Sequence, residues 1–480
     1  MNKSSLNKET LINKPLSQSS RQMLSTNPAD NTETGRSPWL SRLIVVWLAG
    51  ITVSLPIKII NLPSNFELVD IWILMGLPVV LSIYIMGRNR MINLTYAVPI
   101  WLVMVSSLLS TFTSHAASNS LIVMLKEIYL FAWFTVVTVF LSTLNARDLR
   151  RVLYVWSAVV VLHGLLIIAQ FLSPDLWRFT NSLGGNSVAH EIYRPAGLFI
   201  CDHAGCANKA AFFQLLGFVP LLLAGFSKKT TMLLGIISFS SMLVTGSMGA
   251  TVALICGAIA ALIVIAVFKK SFLVIIKVFL RFVFASLLLG GVSYLVISQN
   301  QDYSNHFERI ILGRFDKSSG SRFNLWQRGI NVLFEHNSLL WGVGPENFRV
   351  LDPAQTDNQL HNDTLAFLVE RGLIGLLGLG LFAGIGLRRS LSILQISNKM
   401  PDRARWELVV FLAAIVATMV ESLTHQIFRT RELWLVLAVQ EAIYFGMITS
   451  YRGEITNTAV NKPEHSRHGS WARPKVSIDE

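Results

Sequence analysis

Apolar stretches of about twenty residues recur along this chain from position 43 to position 450, each long enough to cross a bilayer as a helix. In lipid the backbone must satisfy its own hydrogen bonds, so only helices and closed barrels span. Barrel strands alternate apolar and polar residues over about ten positions; these runs are longer and uniformly apolar. The fold class predicted is therefore all-α, a polytopic membrane bundle of about twelve transmembrane helices. The spans are read at 43–60, 68–87, 94–113, 120–143, 150–173, 207–226, 230–247, 249–268, 272–297, 363–386, 407–423 and 432–450, with a hairpin around Gly246 and Gly249. Composition agrees, with 14% of the residues charged against about a quarter in soluble proteins.

The placement of charge orients the bundle. Loops after the even-numbered spans carry Arg88 and Arg90, Arg147, Arg150 and Arg151, Lys228 and Lys229, then Lys269 and Lys270. Positive loops face the cytoplasm, which puts both termini on the cytoplasmic side. The net charge of +13 is explained by this sorting, and nucleic acid is not an expected partner. The first 38 residues are polar and the first apolar run opens near Leu43, later than in a cleavable signal. The organisation predicted is a cytoplasmic arm at 1–42, nine spans over 43–297 with an outer loop at 173–208, a large periplasmic loop at 298–362, three more spans over 363–450, and a basic cytoplasmic tail at 451–480.

The large loop reads as ordered. Phe323, Trp326, Ile330 and Leu333 repeat at helical spacing and predict one apolar face. Ser319 or Ser321 is the expected cap, with Arg322 and Arg328 projecting from other faces. Downstream, Gly342 and Gly344 mark a turn, His361 sits at the water boundary, and Asn362 is placed to cap the next span. Gly372, Gly375, Gly378 and Gly380 allow helices to approach closely. In the earlier loop, Cys201 and Cys206 leave three readings open: a disulfide, free thiols or a metal site. Lys126, Glu127 and His163 are ionisable groups within spans and hence functional candidates, although a Lys126–Glu127 ion pair that fixes packing explains two of them equally well. Glu421, His425, Arg429 and Arg431 gather outside, beside the last two spans, where they can complete a site.

The run His361-Asn362, nine residues, then Gly372-Leu-Ile-Gly375 resembles the O-antigen ligase and polymerase superfamily. Ser321-Arg-Phe-Asn-Leu-Trp326, the Gly342-Val-Gly344 turn and Arg194-Pro-Ala-Gly-Leu-Phe199 resemble other elements of that family. One departure stands out: Thr245-Gly-Ser-Met-Gly249 carries Met248 where the family often has arginine. The resemblance implies a GT-C-like helical fold and transfer of a glycan from undecaprenyl diphosphate to an acceptor hydroxyl, on the lipid A core for a ligase or on another lipid-linked repeat for a polymerase. Other polysaccharide assembly proteins are possible partners. His361 is then the expected base. With Met248 unable to bind phosphate, Arg194, Arg322 and Arg328 are the expected diphosphate ligands. A lipid-linked oligosaccharide flippase and an assembly scaffold are the alternatives from other classes. The flippase predicts internal repeats and midplane charges, but the polar groups concentrate in the outer loops.

No cofactor or metal is expected, because the outer loops hold no Asp-x-Asp pair and arginine can take a cation's part. Glycan transfer by purified protein should therefore survive a chelator; activity abolished by EDTA and restored by magnesium would reject that expectation.

Overall fold

The structure, a computed structural model, describes residues 38–57, 67–85, 94–182, 195–199, 205–269, 313–352, 359–398 and 408–460. It divides into two compact units, 1–44 and 45–480. The described part of the first is the opening of helix α1 (Pro38–Ser54); the remaining described elements all belong to the second.

Every regular element among the described residues is a helix. After α1 come α2 (Leu68–Ile85), α3 (Ala97–Phe112), α4 (Ala117–Thr143), α5 (Ala146–Leu172) and the short α6 (Pro174–Ser182). Next are α7 (Gly205–Leu223), α8 (Lys228–Val244), α9 (Met248–Lys269), α10 (Gly313–Glu335) and the single turn α11 (Phe348–Leu351). The last three are α12 (Asp363–Ser397), α13 (Val409–Ser422) and α14 (Arg431–Val460). Among the described residues six helices are long and apolar enough to cross a membrane, lying within α4, α5, α7, α9, α12 and α14; α1, α3 and α13 are shorter apolar helices. The protein is a multi-pass membrane protein. The span read at 272–297 lies outside the described residues.

Three pairings build the frame around the site: α3 with α12, α4 with α14, and α9 with α13. Small residues set the first and third. A side chain on Gly378 would press on Val103 and the Pro99 carbonyl, and one on Gly257 would strike the Ala413 carbonyl. Aromatic rings set the second. Trp434 meets Phe131 at 5.1 Å, Phe382 at 5.0 Å and Phe428 at 5.4 Å between ring centroids, contacts worth about 0.5–1.5 kcal/mol each beyond burial. Gly380, expected to seat a neighbouring helix, has open space around it: it lies on a different face of α12 from Gly375 and Gly378.

Two expectations for the large loop are corrected. Helix α10 begins at Gly313, so Ser319 and Ser321 lie inside it instead of capping it; serine costs a helix interior only a few tenths of a kcal/mol. Its buried face runs through Leu325, Val332 and Leu333, with Trp326 donating to the Leu360 carbonyl at 3.0 Å. Phe323, Ile330 and Phe334 turn outward.

The decisive backbone feature is a break in α12 at Gly372, where φ is 67° and ψ is −167°. Loop 339–344 enters the break. Leu373 N–H donates to the Leu339 carbonyl, while the carbonyls of Val369 and Glu370 accept from Val343 and Gly344, each bond 2.9 Å. Gly342 (φ 81°) allows the approach, since a side chain there would collide with the backbone of Glu370 and Arg371; one on Gly372 would collide with the Leu340 carbonyl. This conformation is open to glycine almost alone. Gly372→Ala should cost about 3 kcal/mol and lower the melting temperature in detergent, whereas Gly380→Ala should leave it within about 0.5 kcal/mol.

Candidate functional site

The interlock delivers charged side chains into the helical frame. Arg371, next to the break, is 1% exposed. It pairs with Glu127 of α4, lies 3.4 Å from Glu370, donates to Ser107 of α3 at 3.0 Å, and stacks over Phe367 at 4.4 Å. Arg429, from the α13–α14 loop, meets the same Glu127 at 3.1 Å, Glu346 at 2.6 Å and Glu370 at 4.0 Å. Arg349 adds a contact of 3.5 Å to Glu346. Three carboxylates thus face three guanidiniums, a balance that keeps buried charge tolerable. Glu127 turns to these partners and not to Lys126, since consecutive residues on a helix point in directions about 100° apart.

Each member is held by its own scaffold. Asp363 accepts from the backbone N–H groups of Ile427 and Phe428 at 2.8 and 2.9 Å, tying the loop that carries Arg429 to the start of α12. The Asn347 amide donates to Ser114 and to the Val343 carbonyl, and its oxygen accepts from Ala116 N–H at 3.0 Å. That anchors the Glu346 loop to the α3–α4 turn. Arg431 binds Glu67 and Asp70 at 2.7 Å each, and Tyr129 donates to Asp70 at 2.7 Å. The cluster therefore joins the start of α2, α4, α12 and α14 at one end of the unit.

His361 stands at this end, immediately before α12, with left-handed φ of 49° and a half-buried side chain. Its neighbours are pinned on both sides: Leu360 by Trp326, and Asn362 by capping α12, its side chain accepting from Leu365 N–H at 2.9 Å. Arg322 is half-buried and coupled electrostatically to Glu421; burial lowers its pKa, and Glu421 partly restores it. Arg328 lies 3.3 Å from the buried Asp352. Arg194 lies outside the described residues. Of the element it opens, Ala196 and Gly197 donate to Gln170 of α5 at 3.1 and 2.8 Å, and Gly197 packs on His163. Cys206 is disulfide-bonded and Cys256 is free; Cys201 lies outside the described residues.

Residues 233–380 match a family described as O-antigen ligase. The match supports a place in the O-antigen ligase and polymerase superfamily. No curated protein matches the chain. The ligase-family segment contains His361, Arg322, Arg328, Gly342, Gly344, Gly372 and Gly375, and also the unpredicted Glu346, Glu370 and Arg371. Glu127 and Arg429, which complete the charge cluster, come from outside it. Glu370 and Arg371 did leave a signal: an adjacent ionised pair inside a run otherwise free of charge. The four polar residues read together in sequence part company, with Arg429 turning to Glu127, Arg431 to Asp70, and Glu421 to His425 at 2.6 Å.

The ion pairs fix a pH response. Burial raises the Glu346 pKa, but the charge and hydrogen bond of Arg429, with Arg349 and Arg371, outweigh it and hold the carboxyl below its ordinary 4.5. Burial likewise opposes the charge on Arg429, and Glu127, Glu346 and Glu370 overcome it and raise its pKa. A carboxyl depressed on folding contributes stability above its unfolded value and loses it as pH falls through the folded one. Melting curves should show Glu346→Gln less stable than wild type at about pH 7, with the gap closing as pH drops below about 4.5. A gap that persists in acid would assign Glu346 a packing role instead.

Proposed function

We propose that this protein moves a glycan from undecaprenyl diphosphate to an acceptor hydroxyl, that of the lipid A core, at the periplasmic face of the inner membrane. The O-antigen ligase match over residues 233–380 carries the reading, because it runs through His361, Asn362, Gly372 and Gly375. The geometry supports it: the segment with the histidine is fastened on both sides, as a positioned base requires.

In this reading neutral His361 takes the proton of the acceptor hydroxyl. The freed oxygen bonds to the anomeric carbon, the bond from that carbon to the diphosphate oxygen breaks, and undecaprenyl diphosphate leaves with the electron pair. Charge developing on the leaving oxygens is met by fixed guanidinium groups. Arg322 suits that role, being half-buried and without a salt bridge among the described residues. Arg194 is proposed beside it. Arg328 is the weaker of the three, since Asp352 already engages it. Arg371 and Arg429 are saturated by carboxylates and serve the frame.

The test is a gel of surface and undecaprenyl-linked polysaccharide from a deletion strain complemented with wild type or His361→Ala. Loss of His361 should leave long lipid-linked chains accumulating without attachment. Stalled single repeats would make the enzyme a polymerase. A normal ladder would remove His361 as the base, and a deletion that changes no glycan would favour transport or scaffolding.

A further inference from the structure

A cleft of about 170 Å³ lies between the α3–α4 turn and the end of α10, lined by His115 on one side, His336 and Asn337 on the other, and by Trp341, Gly342 and Val343 of the following loop. Its walls are held by the backbone. Helix α10 closes in a turn where Ser338 N–H donates to the Leu333 carbonyl and Asn337 N–H to that of Phe334, each bond 3.1 Å. Asn337 takes a left-handed φ of 50° there. Glycine is the usual residue at that point of a helix end, so asparagine adds an amide that the turn itself does not need. Gly342 N–H donates to the Ser338 carbonyl at 2.6 Å, and the same loop is stitched into the break of α12. Asn347 ties the opposite wall to that loop, accepting from Ala116 N–H and donating to Ser114. The cleft is therefore formed before any ligand arrives, which lowers the cost of binding one.

The lining selects the occupant. None of the described residues around the cleft is Lys, Arg, Asp or Glu, so a diphosphate would find no counter-charge. The Asn337 amide and the ring nitrogens of His115 and His336 have no hydrogen-bond partner among the described residues, and the two rings meet edge-on at 5.3 Å. An amide and a neutral imidazole each both donate and accept, as a hydroxyl does. Trp341, 39% exposed, adds a large apolar ring with its own N–H. A sugar ring carries hydroxyls at its rim and C–H groups on its face, and it fits this mixture where a lipid chain or a phosphate does not. The volume is below the roughly 300–1,000 Å³ of a site for a drug-sized ligand, so the cleft takes one ring and not a length of glycan. Val343 also belongs to the apolar cluster that holds Leu360, the residue before His361.

We propose that this cleft is a sugar subsite, in which one neutral ring of the glycan substrate stacks on Trp341 and is hydrogen-bonded by Asn337 and the His115–His336 pair. The inference rests on the glycan-transfer reading. Donor and acceptor both carry sugar rings of this chemistry. These are binding residues that place the substrate, and the proton transfer stays with His361.

The experiment uses the full chain in lipid nanodiscs and three titrated probes: bare undecaprenyl diphosphate, the same lipid carrying the glycan extracted from the producing strain, and the lipid A core. Asn337→Gly removes the amide and keeps the turn, because glycine suits the left-handed position. It should weaken binding of a glycan-bearing probe about fivefold, as expected for a neutral hydrogen bond. Trp341→Ala should weaken it about tenfold or more, with Trp341→Phe regaining part of the loss. Bare undecaprenyl diphosphate should bind all three variants, and a Gly380→Ala control, as it binds wild type. The larger loss, on the lipid-linked glycan or on the lipid A core, says whose ring the cleft takes. Circular dichroism and a sharp melting curve establish that each variant is folded. If folded Asn337→Gly and Trp341→Ala bind both glycan-bearing probes as tightly as wild type, or lose the bare lipid equally, the cleft is no sugar subsite and this proposal falls with the transfer reading intact. If wild type binds neither glycan-bearing probe, the transfer reading fails and takes this one with it.

Discussion

A buried arginine cannot stand alone in a helical membrane core, and Arg371 is the residue around which this structure is arranged. Its pairing with Glu127 joins α12 to α4, and Arg429 shares the same carboxylate, drawing in the α13–α14 loop. Removing two such charges from water costs nearly what their attraction returns, so the pair is weak evidence of net stability. Its force is conditional: with one partner gone, the other is left uncompensated at a cost of about 3–5 kcal/mol. The arrangement therefore selects one packing of these segments over near alternatives that bury the same apolar area.

The break at Gly372 shows how backbone chemistry brings the charges together. An unbroken helix would have consumed the carbonyls of Val369 and Glu370 internally; interrupted, it offers them to Val343 and Gly344. Loop 339–344 is thereby stitched into α12 by main-chain bonds that depend on glycine at 342 and 372. Glu346 is carried to Arg429 by the same loop, and Asn347 ties it to the α3–α4 turn. Within the segment that matches the ligase family, Gly342 and Gly372 act through backbone geometry, while Gly375 and Gly378 act through close packing on α3.

What could be read in the sequence was local. Apolar length announced helices, the glycines around 246 announced the turn between α8 and α9, and Asn362 before an apolar run announced a cap, because each signal is complete within a few residues. The missing parts were relations between distant residues. Arg371 and Glu127 are 244 positions apart, and nothing near either one names the other. Helical spacing grouped Phe323 and Ile330 with Trp326 and Leu333, yet periodicity does not say which side of a helix with apolar residues nearly all round meets a neighbour. Gly380 shared a spacing with Gly378 and shares none of its contacts. Arg328 resembled a free cation until Asp352 came beside it.

The separation of Arg371 from Glu127 also sets a clock for biosynthesis. Chains are made at about 5–20 residues per second, so the carboxylate of α4 enters the membrane roughly ten to fifty seconds before its guanidinium partner has been synthesised. Throughout that interval α4 carries an unmatched acid about 15 Å along its length from Ala117, a depth at which lipid is a poor host. The early helices must therefore wait beside the insertion machinery, or with that turn in contact with water, and close only when α12 arrives. The last steps of assembly are then the ones that dry the charge cluster and bring the residues around His361 into place, so a half-made chain stays open at the end where its chemistry is proposed to lie.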